Sequence, residues 1–144
     1  DGIISTAAGI SAGSGRPSVL VTGDLAFHYD SNSLQILRAK QIPLLIVLIN
    51  NGGGSIFEYL PVYDESEIFS EFFKTGTGVD FGMVAKAYGL NYKLIENTEQ
   101  LETGVRSFFE SPAPTVFQVK FDSVQSKKTK DTIKAGLISS IRSI

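Results

Sequence analysis

Cysteine is missing from this sequence, and histidine and methionine occur once each, as His28 and Met83. Without cysteine there are no disulfides, no thiolate metal site and no cysteine nucleophile. That is compatible with a reducing compartment, and a cytoplasmic location is the expectation. No apolar run approaches the roughly 20 residues of a membrane-spanning helix, and the start lacks the basic-then-apolar pattern of a secretion leader. Charge is sparse as well. Charged residues make up 19% of the chain and the formal net charge is −2, so the total carries no footprint for nucleic acid or an anionic membrane. The one basic cluster, Lys127-Lys128-Thr129-Lys130, reads as the solvated start of a helix. A methionine is also missing from the first position, where the chain opens with Asp1-Gly2. From this a piece of a longer gene product is expected.

What is present suffices for one core. Hydrophobic residues make up 42% of 144, which fits a single domain over residues 1–144 with no internal repeat or linker. Two apolar segments organise the rest: SVLVTGD at Ser18–Asp24 and LLIVLINNGGGSIFEYL at Leu44–Leu60. The run Leu44–Ile49 is long enough for a strand buried on both faces and short for a buried helix.

Around them, Ile3–Ser14 is rich in Ala, Gly and Ser and predicts a closely packing helix. Gly13-Ser14-Gly15-Arg16-Pro17 then makes a turn. Its GxG precedes a strand instead of opening a helix, so a dinucleotide fingerprint is not expected. Strands are predicted at Val19–Thr22, Leu44–Ile49, Tyr92–Ile95 and Thr115–Phe121. Leu25–Asp30 reads as a loop. A helix of about 10 residues carries Leu34, Leu37 and Arg38 and ends near Gln41, stopped by Pro43. Gly52–Thr77 is a long connection with a short helix around Glu65–Phe73, and a connection of that length in a compact domain is usually functional. Asp80 caps a helix bearing Phe81, Val84, Ala85 and Tyr88, closed by Gly89. Asn97 or Thr98 caps the next, with Leu101, Val105, Phe108 and Phe109 on one face. Thr129–Ile144 reads as an amphipathic helix carrying Ile133, Leu137, Ile141 and Ile144. This alternation predicts an α/β fold: an open, mostly parallel sheet with helices on both faces and right-handed crossovers.

In such a sheet, ligands bind beyond the carboxyl ends of the strands. Asp24 ends one strand there and Asn50-Asn51 end the next. Neighbouring strands lie about 4.8 Å apart, so the two side chains can share one ion. Both are oxygen donors, which suits a hard cation such as Mg2+ and not zinc. One carboxylate is too little charge to hold Mg2+ tightly, and a diphosphate would supply the rest. The glycines after Asn51 can offer a carbonyl to the metal and N–H groups to phosphate. Taken singly, Asp after a strand is a common helix cap, and Asn-Asn-Gly-Gly-Gly an ordinary loop. His28, a lone histidine without an evident acidic partner, reads as a surface or packing residue. Asp64-Glu65-Ser66-Glu67 reads as a solvated loop or helix start.

Gly23-Asp24-Leu25, a spacer and Asn50-Asn51 resemble the thiamin-diphosphate motif, usually GDG followed by NN; Leu25 stands where the third Gly is usual. The segments DGIISTAAGIS, VTGDLAFHYDSNSL, INNGGGSIFEYLP and TGTGVDFGMVAKAYGLNY together resemble the C-terminal cofactor-binding domain of the 2-succinyl-5-enolpyruvyl-6-hydroxy-3-cyclohexene-1-carboxylate synthases of menaquinone biosynthesis. The likeness weakens after about Ser123.

The resemblance implies a transferase that decarboxylates 2-oxoglutarate and adds the succinyl unit to isochorismate, with thiamin diphosphate and Mg2+ (or Mn2+) as cofactors. It implies metal ligands at Asp24, the Asn51 side chain and the Gly53 carbonyl. Gly23, Leu25, Asn50 and Gly54 are implied as further cofactor-binding residues. Ile56, Phe57 and Leu60 are implied as the wall of the cofactor and substrate cavity, with packing after a loop as the plainer role. No catalytic residue is implied in this chain, because the glutamate that activates the aminopyrimidine comes from another domain of a partner subunit. The remaining domains and a second subunit are therefore implied as partners, in a homodimer or homotetramer, and the chain alone is expected to be inactive. The first strand and helix of the domain are expected to precede Asp1. Another thiamin-diphosphate decarboxylase or synthase, and a noncatalytic α/β binding module, stay open as alternatives.

Overall fold

The structure, a computed structural model, describes residues 2–64 and 68–142. In chain order it comprises α1 (Ile3–Ser14), β1 (Ser18–Gly23), α2 (Asp24–Tyr29), a 3-10 turn at Ser31–Ser33, α3 (Leu34–Lys40) and β2 (Leu44–Asn50). Two more 3-10 turns (Ser55–Tyr59 and Pro61–Asp64) and a π-helical turn (Phe69–Phe73) lead to α4 (Phe81–Ala87). Then come β3 (Asn91–Ile95), α5 (Thr98–Glu110), β4 (Thr115–Lys120) and α6 (Ser123–Arg142). The strands form one sheet in the order β1-β2-β4-β3, and every pair is parallel. The expected α/β architecture is therefore present.

β2 is central, and alternate residues serve opposite cores because successive side chains point to opposite faces. Leu44, Ile46 and Leu48 join Ile4, Phe27, Leu34, Leu37, Phe81 and Val116 on one side. Leu45 and Val47 join Ile95, Phe108 and Phe117 on the other. β1 lies at an edge, with Val19 and Val21 exposed.

Helix starts follow local chemistry. Asp80 accepts the Met83 N–H at 2.9 Å, and Asn97 accepts that of Gln100 at 2.9 Å, so both expected caps are present. Gly89 follows α4 at φ +71°, where L side chains are strained. α1 begins on Gly2, which has no capping side chain. Asp30 serves instead, accepting the N–H of Ile4 at 2.6 Å and of Ser5 at 3.2 Å and the Ser33 hydroxyl at 2.8 Å.

Four expectations need correction. Leu25–Asp30 is not a loop. Asp24–Tyr29 is helical, because Gly23 is extended ahead of it and Phe27 drives into the core edge-on to Phe81, 5.5 Å away. Phe109 is exposed, while Leu101, Val105 and Phe108 carry that face inward. The last helix begins at Ser123, and Ile133, Leu137 and Ile141 are exposed; Ile144 lies outside the described residues. The basic cluster is not simply solvated: Lys130 Nζ sits 4.0 Å from the Tyr59 ring centroid, and Lys127 Nζ 5.3 Å from that of Tyr63. Of the helix expected around Glu65–Phe73, residues 65–67 lie outside the described set, as does most of the acidic stretch, and the end is the π-helical turn. Among the described residues no helix is long and apolar enough to cross a membrane.

Candidate functional site

β1 and β2 are hydrogen-bonded neighbours with Gly23 opposite Ile49, so their carboxyl ends emerge side by side. Asp24 follows as the first residue of α2 and is 3% exposed. Its Oδ1 accepts the N–H of Leu25 at 2.9 Å. Its Oδ2 accepts those of Gly52 at 2.9 Å and Gly53 at 2.8 Å. Among the described residues, no cation pairs with this carboxylate; the ion pairs there are Lys74–Glu58, Arg106–Glu102 and Lys127–Asp131. A buried anion is thus held by three backbone dipoles.

Asn51 supplies the complementary oddity. Its Oδ1 is buried and has no hydrogen-bond partner. Most buried polar groups are satisfied, and an acceptor left bare is a place for a ligand that donates or coordinates. The neighbouring Asn50 Oδ1 accepts from Gly52 N–H at 3.0 Å. The Gly53 carbonyl accepts the Ser55 N–H at 2.8 Å and retains a second lone pair.

The glycines divide by role. At Gly23 and Gly52 a Cβ would meet nothing within 4 Å, so the backbone there is open to a ligand. At Gly53 and Gly54 a Cβ would land on the carbonyl oxygens of Lys74 and Phe73. These two glycines let the loop lie against the exit of the π-helical turn, and the Gly54 N–H closes it on Lys74 O at 2.6 Å.

Ile56, Phe57 and Leu60 are not core residues, with exposures of 74%, 40% and 47%. Their packing role is therefore corrected. Ile56 and Asn51 border a cavity of about 320 Å³ that also meets Tyr59 and Phe121. Phe57 turns to Phe73 instead, ring centroids 6.2 Å apart, and neither it nor Leu60 lines that cavity. His28 is exposed on α2 beside Tyr29 and does not join Asp24 or Asn51.

Glu58 escaped sequence reasoning. It is 3% exposed, borders the same cavity, accepts the Ser123 hydroxyl at 2.8 Å and sits 3.7 Å from Lys74 Nζ. The signal was a single acid inside the otherwise apolar segment IFEYL. Thr22, whose buried hydroxyl has no partner, was likewise unmarked.

The donor set is all oxygen. Among the described residues no group of three or more His, Cys, Asp or Glu gathers. Oxygen donors of this kind suit a hard cation whose other ligands arrive with it.

A parallel sheet with a buried carboxylate and a bare carboxamide oxygen at adjacent strand ends defines a cofactor-binding α/β domain. The chain belongs to the thiamine pyrophosphate enzyme family, C-terminal TPP binding domain, which residues 3–119 match. It is similar to the 2-succinyl-5-enolpyruvyl-6-hydroxy-3-cyclohexene-1-carboxylate synthase of Shewanella amazonensis, with 42% identity over 119 residues, 83% of this chain and 21% of that protein. The synthase of the same name from Bacillus velezensis is 38% identical over 122 residues, 85% of this chain and 21% of the relative. The chain thus spans about a fifth of the length of the curated relatives it matches. In fold it resembles the thiamine diphosphate-dependent 4-hydroxybenzoylformate decarboxylase of Rhodococcus jostii, with TM-score 0.69 and 24% identity over 81% of this chain and 22% of that one.

Proposed function

We propose that this domain, residues 1–144, holds the diphosphate of thiamin diphosphate and its divalent cation within a larger enzyme. That enzyme decarboxylates 2-oxoglutarate and transfers the succinyl unit to isochorismate, in the cytoplasm. The observation that carries the reading is the buried Asp24 carboxylate beside the buried, partnerless Asn51 Oδ1.

In this reading Asp24 and Asn51 give side-chain oxygens to Mg2+ or Mn2+, and Gly53 gives its carbonyl. The bound diphosphate completes charge and ligation. Gly23, Leu25, Asn50 and Gly54 frame it, and the open backbone at Gly23 and Gly52 admits it. Thiamin diphosphate, when bound, supplies the electron sink that makes loss of CO2 feasible. This chain's own residues bind, orient and exclude water. Ile56, Phe57 and Leu60 present an exposed apolar wall, which suits closure by another domain. The group that handles the cofactor's aminopyrimidine proton belongs to a second subunit of a homodimer or homotetramer, and the chain alone is inactive.

Calorimetric titration with thiamin diphosphate tests the site. We expect weak binding that requires Mg2+ and disappears in Asp24→Ala. Binding indifferent to EDTA overturns the metal assignment. In an intact enzyme carrying this domain, product from 2-oxoglutarate and isochorismate is expected, and turnover of a different 2-oxo acid alone overturns the substrates.

A further inference from the structure

On the α4 side of the sheet, the side chains of β4 change character along the strand. Val116 is core, Gln118 is 3% exposed and Lys120 is exposed. Their register partners change in step, from Ile46 through Leu48 to Asn50 on β2. Where the row meets the first turn of α4 it opens into a cavity of about 470 Å³. This lies at the ends of β2, β4 and β3, on the opposite side of β2 from β1 and Asp24.

Two lysines and two carboxamides stand in its lining. The Tyr92 hydroxyl donates to Gln118 Oε1 at 2.7 Å, which engages the acceptor of that carboxamide and, among the described residues, leaves its NH2 available on the cavity wall. Asn50, which the proposed function places at the diphosphate, lines this cavity as well, its Oδ1 occupied by Gly52 N–H. Lys86 and Lys120 line the cavity, and neither belongs to an ion pair among the described residues. Against them stands one carboxylate, Asp80, whose Oδ1 already accepts the Met83 N–H. Burial and the charge of Asp80 push the Tyr92 phenol up, so it remains a neutral donor.

We propose that this cavity is a second binding site, taking a small oxyanion, a carboxylate or phosphate group, on Lys86, Lys120 and the Gln118 amide. Two ammonium groups lining one cavity, against a single carboxylate, favour an anion there. Charge-assisted bonds to oxygen are the stronger class of hydrogen bond, and the Gln118 NH2 adds a neutral donor whose carboxamide is held in place by Tyr92. The site uses neither Asp24 nor a metal, and it stands or falls apart from the cofactor reading.

The test is NMR titration of the chain in EDTA at constant ionic strength, with inorganic phosphate in one arm and succinate in the other. Saturable shifts of the Gln118 side-chain amide in either arm support the site, and the arm that saturates identifies phosphate or carboxylate as its chemistry. Lys86→Gln and Lys120→Gln alter exposed residues and are expected to fold, and each should weaken binding roughly tenfold or more. Shifts confined to Asn50 and Gly52–Gly54, shifts that never saturate in either arm, or affinity unchanged in both variants would overturn it.

Discussion

The Gly53 N–H donates to Asp24 Oδ2 at 2.8 Å, across 29 residues of chain. With the parallel bond from Gly52, it ties the loop after β2 to the end of β1. A buried carboxylate is costly unless its lone pairs are met, and here backbone dipoles meet them. The anionic member of the proposed site is therefore fixed in place by the fold itself, and a cation arriving there finds its ligand already oriented.

Asp24→Asn and Asp24→Ala should separate binding from folding. Asparagine keeps an acceptor for the Gly52 and Gly53 N–H groups but removes the charge. It should lose Mg2+-dependent thiamin-diphosphate binding with a small change in melting. Alanine strands those donors and should also lose about 1–3 kcal/mol of stability. Calorimetry and urea melts read the two effects, and full binding by the Asn variant would remove Asp24 from the metal site.

Asn51→Leu should do the reverse. The variant removes a buried oxygen that has no partner, and replacing an unsatisfied polar group by an apolar one of similar size is neutral or stabilising. Melting should hold or rise while Mg2+-dependent binding falls. A destabilised variant with normal binding would mean that Asn51 is a structural residue.

The sheet and two helix caps were legible because they rest on local signals: unbroken apolar runs for buried strands, Asp80 and Asn97 ahead of helices, and Gly89 behind one. Asp24 and Asn51 were legible because strand ends in a parallel sheet converge. α2 was not, since DLAFHY is short and its helix depends on Phe27 finding Phe81 far along the chain. Asp30 as the cap of α1 and Glu58 as a buried tie were equally hidden, because each acts on a partner distant in sequence. The division of the glycines was invisible for the same reason: only the arrival of Phe73 and Lys74 makes Gly53 and Gly54 differ from Gly52.

That division predicts a graded response to alanine. Gly52→Ala meets open space but sits at φ +85°, so it should cost roughly 1–2 kcal/mol. Gly53→Ala adds a collision with backbone to a φ of +124° and should exceed about 3 kcal/mol. Gly54→Ala has a negative φ but the same kind of collision and should fall between them. Equal losses in denaturant melts would show that the loop does not pack on residues 73–75.

Asp30 should set part of the acid limit of stability. Burial pushes its carboxyl up, but the Ser33 hydroxyl and the N–H groups of Ile4, Ser5 and Gly2 outweigh that and hold it below the ordinary carboxylate value. A depressed folded pKa contributes stability that is fully present above the unfolded value and is lost as pH falls through the folded one. Asp30→Asn should therefore be less stable than wild type at neutral pH, with the gap narrowing as pH drops below the ordinary carboxylate range. A gap independent of pH would show that the charge of Asp30 contributes nothing.

Glu58 joins three segments that the sequence separates: the 3-10 turn that carries Ile56, the exit of the π-helical turn at Lys74, and the start of α6 at Ser123. Its carboxylate is buried while Lys74 is about a third exposed, so screening and the 3.7 Å separation make the ion pair the weaker link. The 2.8 Å bond from the Ser123 hydroxyl is the stronger one, and a glutamine oxygen can still accept it. Glu58→Gln should therefore cost less than about 1 kcal/mol. Glu58→Ala should cost about 1–3 kcal/mol, because it strands a hydroxyl and enlarges the cavity beside Asn51. Hydrogen exchange should accelerate in Ser55–Tyr59 and in the first turn of α6 together for the alanine variant alone. Acceleration in only one of the two, or equal losses from Gln and Ala, would show that Glu58 does not couple the apolar wall to α6.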